Sequence, residues 1–118
     1  MFSPEVLDHF QNPRCAGDLP GATLSVEVSN PACGDILQLA ARIEGGRIAE
    51  ARFLSRGCVT SMACASFLAE TLEGKSISEA RAITAEQISA ALGGLPPATY
   101  HGCQLVRDAL DALLARIA

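Results

Sequence analysis

The chain has 118 residues, 49% of them hydrophobic, and a mean hydropathy of +0.26, too apolar for intrinsic disorder and long enough for a core of its own. Its net charge is −4, with eight arginines, a single lysine (Lys75), no Trp and one Tyr. That balance excludes a basic nucleic-acid interface, a docking surface for anionic membranes and an aromatic platform for bases. The longest weakly polar run, residues 59–69, is too short to span a bilayer. The first ten residues carry Glu5 and Asp8 and lack the basic and apolar regions of a signal peptide, so a cytoplasmic location is expected. With no repeat, low-complexity stretch or linker, residues 1–118 read as one domain.

Ser3-Pro4 has the form of a helix N-cap followed by proline at the first helical position. A short helix to about Phe10 follows, with Val6, Leu7 and Phe10 inward and His9 outward. Three period-two segments come next: Leu24, Val26 and Val28; Leu37, Leu39, Ala41 and Ile43; Ala49, Ala51 and Phe53. Each alternates with more polar residues, as in an antiparallel sheet with one solvated face. Gly45-Gly46 is a hairpin signal between the second and third segments, and residues 30–35 form a longer turn between the first two. The remainder is helical. One helix runs from Val59 to about Glu73 with Cys64, Phe67, Leu68 and Leu72 on one side. A second opens at a Thr84/Gln87 capping box and a last one covers about Cys103 to Ile117. The fold class is therefore α+β: a small three-stranded antiparallel meander with helices packed on one face.

The cysteines carry the chemistry. There are five, Cys15, Cys33, Cys58, Cys64 and Cys103, an odd number in a chain expected to stay reduced, which points to metal or sulfur chemistry. No CxxC pair is present, so a site has to be assembled by the fold. If the second and third strands form a hairpin, Cys33 and Cys58 come to the same end of the sheet. Each neighbours glycine, and Cys58 stands at a helix start, where the macrodipole favours negative charge. Cys103 sits near the start of the last helix, two residues after His101. Cys64 reads as a core residue and Cys15 as an incidental loop thiol.

Several segments together have a familiar form: residues 6–14 (VLDHFQNPR), Asn30-Pro31-Ala32-Cys33-Gly34-Asp35 with its PxCGD signature, and Ala51-Arg52-Phe53 followed by Arg56-Gly57-Cys58. Gly74-Lys75-Ser76 with Glu79-Ala80, and Leu95-Pro96-Pro97 with His101 and Cys103, follow in order. The chain resembles, over almost its whole length, the IscU/NifU-type iron–sulfur cluster assembly scaffolds, of SufE/NifU-like fold. The resemblance implies a carrier, not a turnover enzyme. Such a carrier receives sulfur from a cysteine desulfurase, combines it with iron into a transient [2Fe-2S] cluster, and passes it to apo iron–sulfur acceptor proteins. By position it implies Cys33 and Cys58 as cluster ligands and sulfur acceptors, Asp35 as the carboxylate that keeps the cluster labile, and His101 as the histidine beside the third cysteine. Soft thiolates with a weaker fourth donor suit that role, and would also hold Zn2+ at the same site.

The match departs from the family in two places. Those scaffolds have His and Cys adjacent, whereas Gly102 separates His101 from Cys103 here. Matching Asp108-Ala109-Leu110 puts Gly102 at the cysteine position and Cys103 one residue late, about 100° further round a helix. Glycine permits a tight bend, so Cys103 is expected within ligation reach of the metal held by Cys33 and Cys58, with His101 or Asp35 as fourth donor. The second departure is Ala98-Thr99, where Leu95-Pro96-Pro97 would continue with Val-Lys in scaffolds served by an Hsp70-type chaperone; the resemblance does not carry that handover across. Two further readings share the fold: a zinc-bound sulfur acceptor of the SufU type, although the chain lacks that type's insertion between the second and third cysteine regions, and a degenerate module that binds no metal.

Overall fold

Alternating polar and apolar residues take the middle of the chain into three strands. In the computed structural model, which describes residues 2–30 and 34–117, these are β1 (Leu24–Asn30), β2 (Asp35–Glu44) and β3 (Arg47–Arg56). They pair antiparallel in the order β1-β2-β3. The helices around them are α1 (Pro4–Gln11), α2 (Val59–Leu72), α3 (Ile77–Arg81), α4 (Ala85–Ala91) and α5 (His101–Ala115), with a short 3-10 turn at Pro97–Thr99 before the last. This is the expected α+β meander. None of the helices is long and apolar enough to cross a membrane.

Strand parity decides which face is covered. Leu37, Leu39 and Ala41 of β2 and Ala51 and Phe53 of β3 are buried, and α2 and α5 pack over them with Leu68, Leu72, Val106 and Leu110. Truncating any of these leucines to alanine would cost about 2–5 kcal/mol in lost transfer energy and cavity formation. The opposite face carries ion pairs, with Glu50 accepting from Arg42 at 2.7 Å and from Arg52 at 3.1 Å. The β2–β3 register slips between Arg42 and Ile43: Arg42 faces Glu50 while Ile43 faces Ile48, leaving Ala49 as the extra residue of a bulge. The bulge reverses the phase of the strand. Ile48 enters the core, whereas simple alternation puts Ala49 there.

The Thr84/Gln87 capping box is present at the start of α4, and Ser76 with Glu79 makes a second one at α3. At α1 the inward face differs from the one the sequence suggests. Val6 is fully buried and His9 nearly so, while Leu7 and Phe10 remain more than a third exposed. His9 is drawn in by a polar partner. Its Nδ1 lies 2.8 Å from Ser66 Oγ in α2, and its ring meets Phe67 edge-on at 5.9 Å. Ser66 Oγ also accepts the Arg14 backbone N–H at 2.8 Å, so one serine fastens both α1 and the loop after it.

Burial depresses the His9 imidazole below its ordinary value of 6.5, and the nearby Arg14 acts in the same direction. The folded protein therefore holds His9 neutral at a pH where the unfolded chain has begun to take up a proton. The stability this group contributes is complete above the unfolded value and is lost as pH falls through it toward the folded one. Urea midpoints should thus decline between about pH 7.5 and 5.5, and His9→Gln should flatten part of that slope. Identical slopes for the two proteins would show that His9 is not a source of the decline.

Candidate metal centre

Asp35 is the first residue of β2 and shares parity with Leu37 and Leu39, so its carboxylate points to the helix-covered side and is 4% exposed. Beside it β3 is ending. Ile36 faces Arg56, and the next residue is Gly57. A Cβ at position 57 would lie 2.6 Å from both Cγ and Oδ1 of Asp35, so only glycine leaves room for the carboxyl group. The chain then turns into α2 with Cys58 as N-cap, whose Sγ accepts the Ser61 backbone N–H at 3.4 Å. Cys58 is exposed.

The third contributor arrives on α5. The first turn of α5 lies against the first turn of α2, closely enough that a Cβ on Gly102 would be 3.2 Å from Ser61 N and 3.4 Å from Cys64 Sγ. This approach swings His101 over Cys58. His101 Nε2 lies 3.5 Å from Cys58 Sγ and 3.6 Å from Asp35 Oδ2, and Cys58 Sγ lies 3.7 Å from the same oxygen. The three donor atoms, one sulfur, one imidazole nitrogen and one carboxylate oxygen, all fall within 4.8 Å of one another. Ser61 completes the group. Its hydroxyl donates to Asp35 Oδ2 at 2.6 Å and lies 3.3 Å from Cys58 Sγ. Mixed sulfur, nitrogen and oxygen donors at such distances can close on one ion by small side-chain movements, with bonds of about 2.0–2.3 Å for zinc.

Of the residues singled out from the sequence, Asp35, Cys58 and His101 converge. Cys33 lies outside the described residues. Cys103 is placed elsewhere: it is fully buried, and its Sγ meets Cys64 Sγ at 3.8 Å in the interface between α5 and α2. The reason is where the helix starts. The sequence suggests a start near Cys103, but α5 begins at His101. Two residues along a helix are about 200° apart around its axis. With His101 facing the site, Cys103 turns inward. Cys64 is a core residue as expected, its thiol pushed far up by the hydrogen bond with Cys103 and by burial. Cys15 is half-buried beside Glu73, and burial first and that carboxylate second raise its thiol as well. Ser61 is the residue that sequence reasoning missed. The available signal was its place three residues after an N-cap, the position whose backbone N–H bonds to the cap side chain.

Comparison with known proteins identifies the family and the fold. A family described as the NifU-like N terminal domain matches residues 1–117. The chain is 40% identical over 110 residues to the iron-sulfur cluster assembly scaffold protein IscU 1 of Archaeoglobus fulgidus, covering 93% of this chain and 72% of that one. It is 39% identical to IscU of Haemophilus influenzae, covering 97% and 93% of the two chains, and 37% identical to IscU of Escherichia coli, covering 97% and 91%. Among solved structures, the putative iron-sulfur cluster assembly scaffold protein for the SUF system of Fervidobacterium islandicum superposes with a TM-score of 0.80 at 22% identity, over 96% of each chain. The NifU-like protein (N-terminal) of Brucella abortus gives 0.66 at 17%, over 94% of this chain and 78% of that one. At these identities the structures speak for the fold.

Exposure sorts the described thiols by reactivity. Iodoacetamide applied to the native protein should modify Cys58 first and Cys15 more slowly, and should reach Cys64 and Cys103 only on unfolding. Peptide mass spectrometry over a time course reads this directly. Native-state labelling of Cys103 as fast as Cys58 would contradict the buried placement.

Proposed function

The chain belongs to the NifU-like N-terminal domain family, and on that premise we propose that it is a scaffold on which an iron–sulfur cluster is built and from which the cluster is passed on. It carries cargo and does not turn over a substrate. The observation that supports this most is the convergence of Asp35, Cys58 and His101 at the end of the sheet, directly after the Cys33-Gly34-Asp35 run of the sequence. The proposed ligand set is Cys33, Asp35, Cys58 and His101, with a [2Fe-2S] cluster as cargo and residues 1–118 acting as one scaffold domain. Cys103 is left out because its sulfur faces Cys64 in the core.

Each member has a task. Cys58 is exposed at a helix N-terminus, so it can meet a persulfide offered by a cysteine desulfurase. Its thiolate attacks the outer sulfur, and the donor's cysteine thiolate leaves. A two-electron reductant supplied from outside, an electron-transfer protein or a dithiol, then cleaves the Cys58 persulfide to sulfide for the cluster and returns the Cys58 thiolate as a ligand. Cys33 is the second soft donor. His101 supplies an imidazole nitrogen without a formal charge to add to the cluster. Asp35 supplies a hard oxygen, a poor match to iron in a sulfide cluster, and so leaves a weak point at which an acceptor's thiol can enter. The sulfur donor is then a desulfurase, the recipients are apo iron–sulfur proteins, and the compartment is the cytoplasm. No Hsp70-type step is included, since Ala98-Thr99 follows Leu95-Pro96-Pro97.

The mixed donor set is also one that zinc accepts, which keeps a second reading in view: a zinc-bound protein that accepts sulfur and hands it on as persulfide. Anaerobic reconstitution with iron and sulfide separates the two. The scaffold reading expects a protein with visible charge-transfer absorbance and matched iron and sulfide content, and Cys58→Ser should form no stable cluster. A normal cluster on Cys58→Ser, or a protein that keeps zinc and takes up only persulfide sulfur, overturns it.

Asp35→Ala should lengthen the life of the reconstituted cluster and slow its transfer to an apo-ferredoxin. Circular dichroism of the acceptor's cluster region follows the transfer. Unchanged lifetime and transfer would reduce Asp35 to a turn residue.

A further inference from the structure

Three elements meet at the site, and Ser61 touches a part of each. Its hydroxyl donates to Asp35 Oδ2, the oxygen that faces Cys58 and His101, at 2.6 Å. Its backbone N–H donates to Cys58 Sγ at 3.4 Å, and its Oγ lies 3.3 Å from that sulfur. Its backbone N and Cα are the surface on which Gly102 rests, so close that a Cβ there would lie 3.2 Å and 3.3 Å from them. Ser61 is 1% exposed, so water does not substitute for these contacts. A carboxylate that can rotate about its last torsion presents either oxygen or neither to a metal. Fixing one oxygen with a donor from behind removes that freedom, as partners of metal ligands generally do.

Resting on the proposed metal site, the geometry points to Ser61 as a positioning residue. Its hydroxyl sets which Asp35 oxygen the cargo metal meets, and so how the carboxylate takes part in holding and releasing it. Ser61 itself does not ligate. The oxygen it holds has two lone pairs, one for the serine O–H and one for the metal. With the hydroxyl gone, Asp35 remains in place under Gly57 and beside Cys58 and His101, but its Oδ2 loses the 2.6 Å hydrogen bond, shorter than its 3.7 Å and 3.6 Å contacts with those two residues.

The test uses Co2+ as a spectroscopic probe on the full chain. Ser61→Ala should weaken Co2+ binding by about tenfold or more, the usual size for loss of a ligand's hydrogen-bond partner. It should also move the visible ligand-field bands toward those of Asp35→Ala. Ser61→Thr, which keeps the hydroxyl, should restore both. In an Asp35→Ala background, Ser61→Ala should change neither affinity nor spectrum further, because the group it positions is gone. Should Ser61→Ala fail to fold, Ser61→Thr against Ser61→Val makes the same comparison with matched shape. Co2+ affinity within about twofold of wild type for Ser61→Ala, or an equal loss in the Asp35→Ala background, overturns the inference; a purely structural serine gives the latter result. If Asp35→Ala itself leaves Co2+ affinity and spectrum unchanged, Asp35 is not a donor and the site reading falls together with this one. If Asp35→Ala responds and Ser61→Ala does not, only the role of Ser61 falls.

Discussion

A carboxylate at the rim of an apolar core is costly unless its oxygens are hydrogen-bonded or neutralised. Asp35 meets that condition with groups drawn from separate elements: the Ser61 hydroxyl of α2, the Cys58 thiol that caps the same helix, and the His101 imidazole at the head of α5. The need to satisfy this one buried acid draws the helix starts together over the end of the sheet. The positive ends of both helices then face the acid and the thiol, which adds a fixed electrostatic preference for negative charge at that spot. The candidate metal site and the solution to the burial problem are the same set of contacts.

Two close approaches make it feasible, and both depend on an absent Cβ. At Gly57 the missing carbon is the space occupied by the Asp35 carboxyl group. At Gly102 it is the gap through which α5 reaches the backbone of Ser61. A side chain at position 57 would press on the Asp35 carboxyl group itself, and one at position 102 would press on the backbone of Ser61 beside it. These glycines differ in kind from those of the hairpin turn, where backbone dihedrals are what matters.

Much of this was legible in the sequence, for identifiable reasons. Strand alternation and the Gly45-Gly46 turn defined the β2–β3 hairpin, and a hairpin alone brings the start of β2 beside the end of β3. On that basis Cys33 and Cys58 come to one end of the sheet; Cys33 lies outside the described residues, and Asp35, two positions on, is the β2 residue found beside Cys58. What was not legible turned on phase. A bulge of one residue decides whether Ile48 or Ala49 enters the core, and alternation alone does not reveal it. A helix that starts two residues early turns Cys103 from the site to the interior. His9 is buried because a hydroxyl on another helix awaits it, a partner 57 positions away that no local pattern announces.

The bulge at Ala49 has a mechanical side. By turning Ile48 inward it also frees that residue's backbone to bond with the chain beyond α2: Ile48 N–H donates to Lys75 O, and Gly74 N–H to Ile48 O, both at 2.8 Å. Helix α2 is thereby pinned at its far end to the beginning of β3, while its near end emerges from the finish of the same strand. A rod fastened at both ends to one beam has no freedom to slide along it. The local pairing of β2 with β3 that sets Cys58 beside Asp35 is thus joined by a second fastening at the opposite end of α2, about 21 Å of helix away. The end of α2 that carries Cys58 is anchored to the sheet by backbone hydrogen bonds made at the helix's other end.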